Sequence, residues 1–271
     1  MIKKSHFDIF FVRHLFFFIY QSFLIFKNPK AYYFGSKSKI LSALYLYIVD
    51  PYVKFLKFKF IKDKKLTFKL KTSENLNAYG YSSMPKVNIE TIDFIEYENN
   101  EKEIFTFNKI NFNLATKFAE KNGYHALAKD YLKTNTVNFT IDSWNTKPFE
   151  VEFGNTMWHQ DRAGYEILKI FIYLSDTDSE SGPHRFVVGS HKPSTLRFLP
   201  LVRYKDEDVK KYYNEVIEFK GDKGTCFAEN TRGLHRGTPP KKRARSILEF
   251  IYYTAPILCD KESIKLNLDN L

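Results

Sequence analysis

From about residue 136 the chain breaks into short apolar runs parted by clusters of Gly, Pro, Ser and Asp, and this pattern most limits its fold. The runs are Val137–Ile141, Ile167–Leu174, Phe186–Val188, Glu215–Phe219, Gly224–Ala228 and Ser246–Tyr253. Segments this short cannot carry a helical core, and turn residues recur between them. They predict a β-sandwich or barrel. Upstream, Phe112–Leu132 has helical periodicity, with Asn122–Gly123 as an interruption. The predicted class is therefore α+β.

The first quarter is different. Residues 1–71 hold 15 of the 42 Lys and Arg residues against three acids (Asp8, Asp50 and Asp63), interleaved with 19 aromatics. All of the chain's net charge of +11 resides there, the remaining residues being close to neutral. Such asymmetry predicts an anionic partner for that segment: a membrane surface, a phosphorylated substrate or nucleic acid. Nucleic acid is not expected, because no recognition motif accompanies the charge. Helical stretches are expected near 7–26 and 38–60. The first is long enough to span a bilayer, but it includes Asp8 and Arg13, each costing about 2.5–3.5 kcal/mol at the centre of a spanning helix. Burial in the protein is the first expectation for it, and peripheral membrane contact through residues 1–71 the second. No cleavage site follows Leu15–Phe26, and two cysteines cannot build a disulfide framework, so the expected location is cytoplasmic or peripheral at the membrane.

The expected organisation is a mainly helical region over 1–135, packed on or appended to a core over 136–256, with a tail over 257–271.

The chemistry lies in the core. In Trp158-His159-Gln160-Asp161, residues two apart on an extended strand share a face, so His159 and Asp161 can converge. His235, in Gly233-Leu234-His235-Arg236-Gly237, offers a third ligand after the strand Gly224–Ala228. Two imidazoles and one carboxylate on one face of a metal leave the opposite face open, as in non-haem Fe(II) oxygenases. The bare triplet is weak evidence, since a histidine is more often a hydrogen-bonded structural residue. Arg245 strengthens it. A guanidinium opening the last apolar run, beside the metal, can hold the distal carboxylate of a dicarboxylate bidentately.

Taken with Ser181-Gly182-Pro183, Val188-Gly189-Ser190-His191 and Gly224-Thr225-Cys226-Phe227, these motifs resemble the phytanoyl-CoA dioxygenase-like branch of the iron- and 2-oxoglutarate-dependent oxygenases over roughly residues 137–255. The resemblance implies a double-stranded β-helix, or jelly roll, with the metal in its mouth. It also implies Fe(II), 2-oxoglutarate and O2, with succinate and CO2 released as the substrate is oxidised. His159, Asp161 and His235 would hold iron. Arg245 would hold the distal carboxylate of 2-oxoglutarate, with Arg243, of the same strand parity, as the alternative. An acid at 161 favours hydroxylation over halogenation. The substrate class is left as a small-molecule, lipid-linked, carrier-linked or glycan-type acceptor, anionic ones included. A redox-inactive ligand-binding jelly roll and a membrane-associated scaffold are the competing readings. Trp158, His191 and Cys226 are expected in structural roles and Arg236 pointing away from the metal. Trp144, Asn145 and Lys147 are expected in a solvated loop.

Overall fold

The structure, a computed structural model, describes residues 69–98, 100, 102–161, 166–192, 203–254 and 263–268. The basic aromatic segment with its expected helices near 7–26 and 38–60 lies outside these. No helix of the described residues is long and apolar enough to cross a membrane.

In chain order, α1 (Lys71–Tyr79) leads into β1 (Tyr81–Met84), and the short strands β2 (Ile95–Glu96), β3 (Phe105–Phe107) and β4 (Lys109–Ile110) follow. Next come α2 (Phe112–Lys121) and α3 (Tyr124–Leu132), then β5 (Thr136–Thr146), β6 (Ile167–Tyr173) and β7 (His184–Val187). The chain continues through α4 (Asp206–Lys210), β8 (Val216–Phe219), β9 (Cys226–Glu229), β10 (His235–Gly237), β11 (Arg245–Tyr253) and β12 (Ile264–Asn267). The larger sheet runs β1-β9-β6-β11-β5-β12, with β3 also on β5; the smaller runs β10-β7-β8. Antiparallel pairing throughout, in two sheets facing each other, is the jelly roll expected from the sequence.

The two faces of the larger sheet explain its near-continuous apolar strands. Leu168, Ile170 and Ile172 of β6 join Leu248, Phe250 and Tyr252 of β11 in a core shared with Phe118, Tyr124 and Leu127 of the helices. The alternate residues Phe171, Tyr173 and Ile247 face inward to meet Phe186 and Phe219 of the smaller sheet. Phe219 and Phe227 stack across the sandwich at 3.9 Å between ring centroids. A strand buried on both faces loses the alternation of a half-exposed one.

The helical break at Asn122–Gly123 is present. Asn111 caps α2 by accepting from the Leu114 amide, and Gly123, at φ 74°, opens α3 from a left-handed conformation that glycine adopts freely. The core is wider than 136–256. β1 and β3 add edge pairing from upstream, and Ile264–Asn267, expected in a tail, forms a strand against β5 with Leu268 buried behind it. Trp144 and Asn145, expected in a loop, belong to β5, which continues to Thr146.

Candidate metal centre

His159 and His235 face each other in an antiparallel bridge, each backbone amide donating to the other's carbonyl at 3.0 and 2.9 Å. Their rings are 4.2 Å apart. Two residues on, the Asp161 amide donates to the Thr231 carbonyl at 2.8 Å, which turns its carboxylate to the same side. The ligand atoms of His159, Asp161 and His235 all lie within 4.8 Å of one another. His159 Nε2 is 3.7 Å from Asp161 Oδ1, and His235 Nε2 is 3.6 Å from Asp161 Oδ2. Two atoms bound at right angles to one ion at about 2.1 Å would be about 3.0 Å apart, so a small side-chain rotation closes the site.

The histidine tautomers follow from their second contacts. Nδ1 of His159 lies 2.9 Å from the Met157 carbonyl, and Nδ1 of His235 lies 3.0 Å from the Gly233 carbonyl. A carbonyl only accepts, so each Nδ1 carries the proton and each Nε2 turns a lone pair toward Asp161. Burial holds both imidazoles below their ordinary pKa, His159 further lowered by His235. They are neutral at pH 7, the form that binds metal. Burial alone would raise the Asp161 carboxyl, but the Lys169 ammonium holds it far below the usual carboxylate range.

Arg245 opens β11 and is 3% exposed. Its Nη1 donates to the Gly182 and Thr238 carbonyls, and its Nε has no partner. No carboxylate pairs with it among the described residues, so it is a buried cation without an anion. Two glycines of the motifs make room for this arrangement. A Cβ on Gly237 would sit 2.7 Å from Arg245 Nη2, and one on Gly182, at φ 74°, would sit 2.3 Å from the Thr238 carbonyl. Arg243, the alternative, is half exposed and pairs with Asp178 outside the barrel.

Other motif residues brace the site. Ser190 Oγ donates to the Val187 carbonyl and accepts from the Leu234 amide at 2.8 Å, tying the Gly-Ser turn to the residue before His235. Arg236 points away from the site onto Glu152 and Asp206. Trp158 is 2% exposed, donates its indole N–H to Asp206 and packs under Arg236. His191 contacts the Asn77 carbonyl, and Cys226 is buried beside Tyr124. His184 is paired with Glu229 at 2.9 Å, and its ring lies 5.6 Å from that of His235.

The sequence reading missed three charges inside the barrel: Lys169, Glu229 and Glu249. Lys169 Nζ lies 2.9 Å from Asp161 Oδ2 and 3.2 Å from Glu249 Oε2. The signal was present as single charges inside otherwise apolar strands, Ile167-Leu168-Lys169-Ile170 and Ile247-Leu248-Glu249-Phe250.

The family model for phytanoyl-CoA dioxygenase (PhyH) matches residues 87–243. No curated protein matches the chain. Among solved structures, HygX from Streptomyces hygroscopicus, with nickel and 2-oxoglutarate bound, superposes with a TM-score of 0.52 at 13% identity, covering 69% of this chain and 87% of that one. SnoK, a non-haem α-ketoglutarate-dependent carbocyclase from nogalamycin biosynthesis, superposes with a TM-score of 0.50 at 16% identity, covering 70% and 87%. At such identity these likenesses speak for the fold, while the family match spans more than half of the chain. The chain thus belongs to the phytanoyl-CoA dioxygenase family of iron- and 2-oxoglutarate-dependent oxygenases, whose cofactor is Fe(II) and whose co-substrates are 2-oxoglutarate and O2.

Proposed function

We propose that the protein hydroxylates a small-molecule substrate, with His159, Asp161 and His235 as the iron ligands and Arg245 as the anchor of 2-oxoglutarate. The observation that carries this reading is the pairing of two buried features: two neutral imidazoles whose Nε2 lone pairs face one carboxylate, and a guanidinium with no anion among the described residues. The donor set suits ferrous iron, and the unpaired guanidinium suits the distal carboxylate of a dicarboxylate. When bound, iron and 2-oxoglutarate supply the oxidising power for attack on a C–H bond.

The chain's own residues do the rest. The Met157 and Gly233 carbonyls fix each imidazole so that no proton must leave Nε2 before a metal binds. Gly237 keeps the space in which the Arg245 guanidinium lies, and Gly182 lets the backbone of residues 238–240 approach closely. Phe171, Phe219 and Phe227 line the interior and exclude water from it.

The acid at position 161 favours hydroxylation over halogenation, in which that ligand position is left to a halide. The substrate is proposed to be a small-molecule, lipid-linked, carrier-linked or glycan-type acceptor, an anionic one being favoured by the charge of residues 1–71. The test is a panel of candidate metabolites incubated with the full chain, Fe(II), 2-oxoglutarate and O2. Substrate-stimulated succinate release with one oxygen atom added to the substrate supports the reading. Absence of succinate release in the iron-loaded protein, with or without substrate, overturns it in favour of a redox-inactive jelly roll.

A further inference from the structure

On β6 the inward-facing residues are Lys169, Phe171 and Tyr173, and on β11 they include Ile247 and Glu249. Lys169 is a cation of this inner face that reaches the candidate metal centre. Its ammonium is shared between Asp161 Oδ2 at 2.9 Å and the two Glu249 oxygens at 3.2 and 3.3 Å. Both glutamate and lysine side chains are largely buried, at 5% and 14% exposure. Burying such a pair costs several kcal/mol of desolvation per ion, and apolar side chains of similar volume would fill the slot as well or better. Packing therefore gives no account of the pair. Its aim does.

Asp161 has two oxygens in different surroundings. Oδ1 faces His159, whereas Oδ2 faces both His235 and the Lys169 ammonium. The geometry points to Lys169, braced from behind by Glu249, as a positioning residue that occupies Oδ2 and so restricts Asp161 to one-oxygen ligation of the metal. The consequence is stereochemical. Two imidazoles and one carboxylate oxygen leave three positions of an octahedron; a carboxylate binding through both oxygens would leave two. 2-Oxoglutarate takes two and O2 needs another, so a carboxylate held at one oxygen keeps the third available. Glu249 has a separate task in this arrangement. It fixes the ammonium at the distance that reaches Oδ2 and supplies the counter-charge, so that the added cation does not repel the metal.

This inference rests on the metal assignment above, and its test separates the two. The paired substitution Lys169→Met with Glu249→Gln removes the cation without stranding a buried carboxylate. The full-length native and variant chains are loaded with Co(II) without O2, and the d–d absorption and the affinity for 2-oxoglutarate are read. The expected variant still binds Co(II), shows a changed d–d band as the freed Oδ2 coordinates, and binds 2-oxoglutarate about tenfold more weakly. Glu249→Gln alone, which leaves the ammonium on Oδ2, keeps the native band. A folded double variant with the native band and native 2-oxoglutarate affinity overturns the role of Lys169. If the double variant does not fold, the apolar pair Lys169→Leu with Glu249→Leu, which also leaves no donor on Oδ2 and no stranded carboxylate, is read in the same way, and a native band there also overturns it. Failure of the native chain to take up Co(II) would instead sink the metal assignment.

Discussion

Replacing Arg245 by methionine tests the co-substrate site through a measurement that needs no turnover. Arg245 makes hydrogen bonds to two carbonyls and has no carboxylate partner among the described residues, so the substitution breaks no ion pair. Loss of those two bonds costs about 1–3 kcal/mol, part of it offset because a desolvated cation is removed as well. The larger effect appears with ligand. Two charge-assisted hydrogen bonds to a carboxylate contribute about 3 kcal/mol at the low end, or two decades of affinity. At 2-oxoglutarate one hundred times the native Kd, the native protein gains about 2.7 kcal/mol of stability, and a variant bound a hundredfold more weakly gains about 0.4 kcal/mol. For a domain near 200 residues the difference is about 5–9 °C in Tm. Thermal unfolding of the Ni(II)-loaded chains with and without 2-oxoglutarate reads it directly. Arg243→Met, altered at an exposed residue paired with Asp178, should keep the full ligand-induced shift. An equal shift in native and Arg245→Met protein would refute the assignment, and loss of the shift in Arg243→Met alone would move it to that residue.

Three further outcomes follow from the same geometry. Asp161→Ala removes the carboxylate that faces two neutral imidazoles, and should cut Co(II) affinity at least tenfold in a metal titration while circular dichroism stays native. Gly237→Ala places a methyl 2.7 Å from Arg245 Nη2; KM for 2-oxoglutarate should rise severalfold with metal affinity unchanged, and equal loss of both would mean that the strand itself had moved. The metal-free protein should lose stability as pH falls from about 6.5, seen as falling urea midpoints. Burial pushes His191 down to about 4 and lowers His159, His184 and His235, so below 6.5 the unfolded chain binds protons that the fold refuses. Constant midpoints between pH 6.5 and 4 would contradict this.

The fold was legible from residue 136 onward because its strands are short and their turns are chemically marked. Phe112–Leu132 was legible for the complementary reason, a helical repeat broken at a glycine that takes a positive φ. Boundaries at the edges were not. β1, β3 and β12 are three or four residues long, and β12 carries only one apolar pair, Ile264 and Leu266. What makes them strands is an open edge of a larger sheet, which no local pattern encodes. β5 was cut short at Ile141 because Asp142, Ser143 and Asn145 read as turn residues; pairing with β11 through Arg245 and with β3 overrides that preference.

The centre itself divides along similar lines. His159, Asp161 and His235 could be read from the sequence because a strand's two-residue period puts two of them on one face and a motif marks the third. Lys169 and Glu249 could not be assigned to the site, since no spacing rule joins residues 80 apart on neighbouring strands. They were nevertheless conspicuous as ions inside segments otherwise made of Ile, Leu and Phe. A charge in such a run must either turn outward or find a partner, and β6 and β11 are covered on both faces, so neither residue has water to turn to. Two buried strands each carrying one ion of opposite sign therefore imply a pair between them. What the sequence leaves out is that the pair reaches the Asp161 carboxylate, and this third contact joins Lys169 and Glu249 to the candidate metal centre.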